Sequence, residues 1–428
     1  MVQNLPSANS SRIKPYTKFI LLSSLYTSQF LPSAFFFRAL PIFMRQEGAS
    51  LEVIGLLSLL TLPWMLKFLW APLVDLYGSK RWGHYKSWIV ITQGLLVFTL
   101  LLCASINAAE YPIFLFGSVL VIATLAATQD IATDALAVGL LAPHERGWGN
   151  GIQSAGRSIG GILGGGVMLL ALNRVGWATS LWILAGGVLL ALLPLLGYQE
   201  SPSISRPTAK QDTTDSRSYS AFVISPESLK RYLGTLISFV RRPGASIWLV
   251  FIVVYVTGGS MASTMFSPLL VDVGLSMTDI GWMKGIVGSG AAIVGSFLAG
   301  GLIQPLGRRR ALVLFGLLQA GAIALLILPA IGITHIVVLY VVSSFEIFAR
   351  SLTSTALFTV MMDKSRRATA GSDYTLQSSA YMVGHHVGIP ALSGFMASSV
   401  GYTGVFVIGI LVCLVSVWLA TKVLKKSY

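Results

Sequence analysis

Residues 127–166 read ATQDIATDALAVGLLAPHERGWGNGIQSAGRSIGGILGGG. Two apolar segments, joined by one short polar turn from Pro143 to Asn150, carry Asp130, Asp134 and Arg157. An ionisable side chain at membrane depth is costly, so it marks function when a partner can be named. Asp130 and Asp134 are spaced i and i+4 and share one face of a helix. Arg157 lies about as far past the turn as Asp134 lies before it, so the two carboxylates and the guanidinium are expected to meet.

Outward from this stretch the chain is just as apolar. Of 428 residues, 54% are hydrophobic and 11% charged, and mean hydropathy is +0.75. A water-soluble chain of this length needs far more charge to cover its surface, which points to an all-α integral membrane protein. Runs of about 18 or more apolar residues can span as helices. Twelve are expected, over 17–43, 52–76, 88–105, 111–141, 149–172, 178–197, 245–270, 277–306, 311–329, 335–361, 370–397 and 404–421.

The formal net charge of +14 could suggest nucleic acid, but the positions of the charges set a topology instead. With the N-terminus inside, 23 of the 30 Lys and Arg fall on inner loops and tails, only Arg45 and Arg174 fall outside, and five lie within spans. That is the positive-inside pattern, with both termini cytoplasmic. The first 15 residues lack a cleavable apolar stretch, so the first span is expected to act as its own insertion signal. Cys103 and Cys413 fall in spans as small packing residues, without a disulfide framework.

The chain reads as two related halves. The second span opens Ser50-Leu51-Glu52-Val53-Ile54-Gly55 and closes at Ala71 to Arg81; the eighth opens Ser276-Met277-Thr278-Asp279-Ile280-Gly281 and closes at Gly300 to Arg310. Matched ends at a fixed displacement mark an internal duplication of six spans. The division is a tail over 1–16, a six-helix half over 17–197, a linker over 198–244, a second half over 245–421 and a tail over 422–428. Within the linker, Ser201–Ser220 has a flexible composition. Ser225–Val240 has the pattern of an amphipathic helix lying on the inner leaflet.

Further buried charges stand at Lys67 in the second span, Lys284 in the eighth and Glu346 and Arg350 in the tenth; His385 and His386 stand in the eleventh. Glu346 and Arg350 are spaced to neutralise each other. Lys67 either pairs across helices with Asp130 or faces an anionic solute. Each histidine either titrates near neutrality or packs as a hydrogen-bonded residue. Arg38 reaches headgroups or the outer mouth of a cavity. Gly156, Gly160, Gly161, Gly164, Gly165 and Gly166 allow close helix approach. They have no nucleotide-loop context. His144 and Glu145 lack further metal ligands, and no nucleophile and base arrangement suggests an enzyme.

The closing segments resemble the inner loop between the second and third helices of the major facilitator superfamily, Gly-x-Leu-Ala-Asp-Arg-x-Gly-Arg-Lys. The first copy keeps Asp75, Gly78 and Lys80, followed by Arg81; the second keeps Gly300, Leu302, Gly307, Arg308 and Arg309, with Gln304 for the acid. Such loops are expected to latch one gate. Gln129-Asp130-Ile131-Ala132-x-Asp134-Ala135, Pro143-x-Glu145-Arg146-Gly147 and Leu66 to Pro72 look like the AmpG-type branch of that superfamily. The compact length, Leu40-Pro41 through Arg45-Gln46 and Ser372 to Gln377 are more similar to its pyochelin/rhizobactin-type siderophore permeases.

The resemblance implies a twelve-helix major facilitator fold of two pseudo-symmetric halves, working by alternating access in the inner membrane as a monomer without cofactor. It implies proton-coupled uptake of a siderophore or ferric siderophore. Muropeptide import is the alternative, followed by acyl-CoA or drug export, or a non-transporting receptor on the same scaffold. Asp130 and Asp134 are the candidate proton carriers. Lys67, Gln129, Arg157, Glu346, Arg350, His385 and His386 are the candidate cavity residues.

Overall fold

The computed structural model describes residues 15–41, 44, 61–79, 81–106, 112–200, 226–386 and 389–424. The opening of the second span, the Ser201–Ser220 linker, Lys80 and the side chain of Arg38 lie outside the described residues. Regular structure among the described residues is helical throughout, apart from one isolated bridge between Ser79 and Gly83. Lipid offers no hydrogen bonds to the backbone, so apolar segments of this length close their amides on themselves as helices.

In chain order the helices are α1 (Pro15–Ala34), α2 (Leu62–Leu66), α3 (Ala71–Leu76), α4 (His84–Ala104), α5 (Pro112–Leu140), α6 (Arg146–Gly161) and α7 (Met168–Leu196). They continue as α8 (Pro226–Ser238), α9 (Ala245–Asp272), α10 (Gly288–Leu306), α11 (Arg308–Leu325), α12 (Ile336–Lys364), α13 (Ala370–His386) and α14 (Ile389–Val423). Nine helical runs among the described residues are long and apolar enough to cross a membrane. One of them, Arg146–Leu196, has 51 residues. At 1.5 Å per residue it is far longer than one crossing needs. It breaks at Gly176, where φ is 76° and ψ −179°. The second half repeats the break at Gly401, with φ 69° and ψ 174°, inside α14. Gly176 and Gly401 stand 225 residues apart, close to the spacing of the duplicated span ends. Such backbone is open to glycine and strained for other residues.

Among the described residues three buried clusters hold the chain. Phe35, Leu100 and Leu184 belong to one that draws only on the first half, and Phe266, Ile323 and Phe406 to one that draws only on the second. The largest takes Tyr26, Ile131 and Leu136 from the first half together with Trp248, Leu357 and Tyr374 from the second. It lies toward the end of the bundle that carries the basic loops. The halves are thus fused there and keep separate cores beyond. Large apolar side chains such as Phe98, Leu190, Val294 and Trp418 stand exposed on the outer surface, as a lipid-facing wall requires.

Glycine sets how closely α6 can approach its neighbours. A Cβ at Gly160 would lie 2.8 Å from the Phe30 Cβ and 2.9 Å from the Thr27 carbonyl on α1. On the side facing the second half, a Cβ at Gly147 or Gly151 would lie 2.8 Å from the carbonyl of Gly300 or Ser296 on α10. Small residues at a helix interface let backbones meet and dispersion act over the whole length. Gly160→Ala is expected to destabilise the protein by about 1–3 kcal/mol through overpacking. Gly94→Ala on α4, where a Cβ meets nothing within 4 Å, is expected to be neutral or slightly stabilising. Thermal unfolding of the two purified variants in detergent checks the pair.

Candidate functional site

The buried charges gather in the first half where α1, α3, α5 and α6 approach α12 and α13. Lys67 sits in a short 3₁₀ turn between α2 and α3 and is 1% exposed. Its ammonium donates to Asp130 Oδ2, and the Gln29 amide donates to Asp130 Oδ1. Asp134, one turn along α5, accepts from the Tyr26 hydroxyl at 3.0 Å and from Gln153 Nε2 at 3.0 Å. The Gln153 carbonyl in turn accepts from the Tyr374 hydroxyl at 3.4 Å. A chain of polar groups therefore runs from Asp134 in one half to α13 in the other. Removing ions from water costs several kcal/mol each, and only pairing and hydrogen bonds of this kind offset it.

Arg157 departs from expectation. It pairs with neither carboxylate; its guanidinium centre lies 4.8 Å from the Phe30 ring and 5.7 Å from the Phe358 ring. Oδ1 of Asp134 is taken by Tyr26 and Gln153, and the aromatic faces attract the cation. Gln129 also departs: it turns away from the charges and donates to Gln93 Oε1 at 3.4 Å. Successive helical residues point about 100° apart, so a neighbour of Asp130 cannot share its face. A cavity of about 30 Å³ lies among Lys67, Asp130, Asp134, Gln153 and Arg157, closed on its far side by Phe358, Tyr374 and Tyr381. That is room for about one water molecule.

The other candidate cavity residues form a separate group in the second half. Glu346 and Arg350 pair at 3.2 Å without hydrogen-bond alignment. His385 Nδ1 lies 2.8 Å from the Ser260 hydroxyl, and its ring stacks on His386 with centroids 4.5 Å apart. None of these four lines the small cavity. Lys284 donates to Ser267 at 2.6 Å.

At the basic-loop end, charged ties join the halves. Asp75, at the end of α3, accepts from the amides of Gly371 and Ser372 at 2.9 and 2.6 Å, from the Ser372 hydroxyl at 2.6 Å and from Tyr85 at 3.0 Å. The carboxylate thereby caps the first turn of α13, where free amides and the helix dipole both favour an anion. Asp363, at the end of α12, takes Arg146 from the first half at 2.8 Å and Arg308 at 2.8 Å. Arg308 reaches on to the Pro143 carbonyl at 2.6 Å. Of the other loop residues, Gly78 has no room for a Cβ beside the His84 ring, and Arg81 is exposed. Gly307 holds φ at 76°. Arg309 faces a surface hollow of about 660 Å³ between α11 and α14, which Arg308 of the ties also lines, away from the buried charges.

Nearby, Lys18 pairs with Glu145 at 2.8 Å. Burial alone would raise the Glu145 carboxyl, but the hydrogen bonds from Lys18 and the Ala142 amide outweigh it and hold it below the ordinary glutamate range.

Sequence reasoning missed Tyr26, Gln29, Gln153, Tyr374 and Asp363. One signal was available for Gln153, which stands four residues before Arg157 on the same helix face. The uncharged polar residues of α1 and α13 offered no comparable signal.

Two half-bundles fused at one end, with charges buried between their helices, define a polytopic membrane protein. The Major Facilitator Superfamily profile matches residues 22–389. The chain belongs to that superfamily of transporters. It is 27% identical over 376 residues to the anhydromuropeptide permease of Escherichia coli strain K12, covering 87% of this chain and 73% of that one. An uncharacterized protein of Haemophilus influenzae is 31% identical over 387 residues, covering 87% and 86%. Among solved structures, the major facilitator transporter FucP in the outward conformation superposes with a TM-score of 0.67 at 15% identity, covering 96% of this chain and 99% of that one. The AmpG-type kinship expected from sequence stands, whereas these relatives lend no support to the siderophore permeases.

Asp363→Asn is expected to loosen the basic-loop end, since loss of one buried partner costs on the order of 3–5 kcal/mol. In a variant without the two native cysteines and carrying Ser378→Cys in the cavity wall, labelling by an impermeant maleimide from that side should rise by roughly tenfold.

Proposed function

We propose that this carrier imports an anhydromuropeptide-type solute, a sugar joined to a short peptide, across the inner membrane by proton-coupled alternating access. The observation that supports this reading is the kinship over 87% of the chain with an anhydromuropeptide permease. It favours the muropeptide alternative over siderophore uptake. The basic loops face the cytoplasm with both termini, in keeping with the positive-inside pattern. The ties through Asp75 and Asp363 then form the inner gate.

Coupling rests on Asp130 and Asp134. A carboxylate that is charged in one conformation and neutral in the other carries a proton across. Neutralising Asp130 removes the charge that holds Lys67. Neutralising Asp134 alters its hydrogen bonds with Tyr26 and Gln153, and through Gln153 the contact with Tyr374 in the other half. Proton occupancy and the seam between the halves thus share one hydrogen-bonded chain.

In proteoliposomes under an imposed inward proton gradient, the wild type is expected to accumulate labelled anhydromuropeptide and to leave a labelled ferric siderophore outside. Asp134→Asn is expected to lower accumulation by about tenfold or more while exchange without a gradient persists. Siderophore accumulation, or full accumulation by the variant, would overturn the substrate or the coupling role respectively.

A further inference from the structure

The cations buried in this protein are nearly all answered by an acceptor. Lys67 has Asp130, Arg350 has Glu346, Arg146 has Asp363 and Lys284 has the Ser267 hydroxyl. Arg157 is different: among the described residues no ion pair or hydrogen bond reaches its guanidinium, whereas Arg146 and Arg350, whose Nε atoms are likewise buried without a hydrogen-bond partner, each keep a carboxylate. It lines the central cavity. The Trp64 indole, 9% exposed and lining the same cavity, also has its N–H buried without an acceptor among the described residues.

Two residues that each carry an orphaned donor line one space, and such a space suits a ligand rich in acceptors. A guanidinium stays charged, presents five N–H groups in a fixed fork and matches a carboxylate with two parallel hydrogen bonds. Phe30 and Phe358 offset part of its charge by their ring faces, which is weaker than such a pair. They also come from opposite halves, so the site is closed by the two walls that must part to admit a solute.

We infer that Arg157 is the anchor for a carboxylate of the transported solute, with the Trp64 N–H donating to a carbonyl oxygen of the same molecule. The ligand class is a carboxylate-bearing solute with an amide or acetamido group near the acid. The inference deepens the muropeptide reading and rests on it for the identity of the solute, whose peptide arm supplies the carboxylate. Arrival of that group displaces Phe358 from the guanidinium, so binding of the solute and separation of the halves favour one another.

The test measures proteoliposome uptake of an anhydromuropeptide with free peptide carboxylates and of the same compound with every carboxylate amidated. Wild type, Arg157→Lys and Arg157→Gln are compared. The wild type should show a KM for the acid form about tenfold or more below that for the amide form, as loss of a charge-assisted hydrogen bond predicts. Arg157→Gln should raise KM for the acid form to that of the amide form, so that the ratio between the two forms falls to about one; Arg157→Lys should restore part of the preference. Equal KM values for the two forms in the wild type, a comparison that needs no variant to fold, would overturn the anchor while leaving muropeptide import standing. So would an equal rise for both forms in Arg157→Gln. If the wild type moves neither form, the muropeptide reading fails and the assignment of its carboxylate fails with it.

Discussion

Charge in hydrocarbon is the constraint on which this structure turns. Lys67, Asp130 and Asp134 are at most 5% exposed, and an ion in such surroundings must be answered or be neutral. The answers fix the arrangement of the first half. Gln29 and Tyr26 hold α1 against α5, the turn before α3 is placed by Lys67, and Gln153 brings in α6. Apolar packing supplies most of the contact area, but it is non-directional. The polar groups choose which helix faces meet.

A second asymmetry follows from where the halves touch. One buried cluster crosses between them and two do not. Cores packed to crystal-like density move as bodies and do not deform continuously. A molecule with a separate core in each half can therefore rock at the shared cluster and leave the internal packing of each half intact. The glycines of α6 make this seam thin, since its backbone lies against α1 on one side and α10 on the other.

Much of this was legible in the sequence because it depends on composition and period. Long apolar runs, the duplicated span ends and the i, i+4 spacing of Asp130 and Asp134 are local patterns, and they survive folding. Partner choice is not local. Arg157 lies within reach of Asp134 by chain geometry, but Tyr26 and Gln153 take that carboxylate and aromatic rings claim the arginine. Asp363 looks like one charge in a basic loop until α6 and α11 bring two arginines to it. Gln129 illustrates the reverse case: its neighbour carries the chemistry, and a rotation of one residue sends it to Gln93. The polar residues of α13 had no periodic signal, because its first three turns are buried among other helices and only its last turns, at Val383 and His386, are exposed.

The ties at the basic-loop end consist largely of side chains gripping main chain. Asp75 holds the amides of Gly371 and Ser372, Arg308 the carbonyl of Pro143 and Arg146 the carbonyl of Met362. Every residue offers the same amide and carbonyl, so the gripped positions place little demand on side-chain identity. After a duplication, the two halves of such a protein can drift apart in sequence while the closure between them persists. Gly371 is where drift stops, because a Cβ there would lie 2.7 Å from the Asp75 oxygen. The fastening is thus tolerant by construction, and its mutational cost falls on a few charged side chains and one glycine.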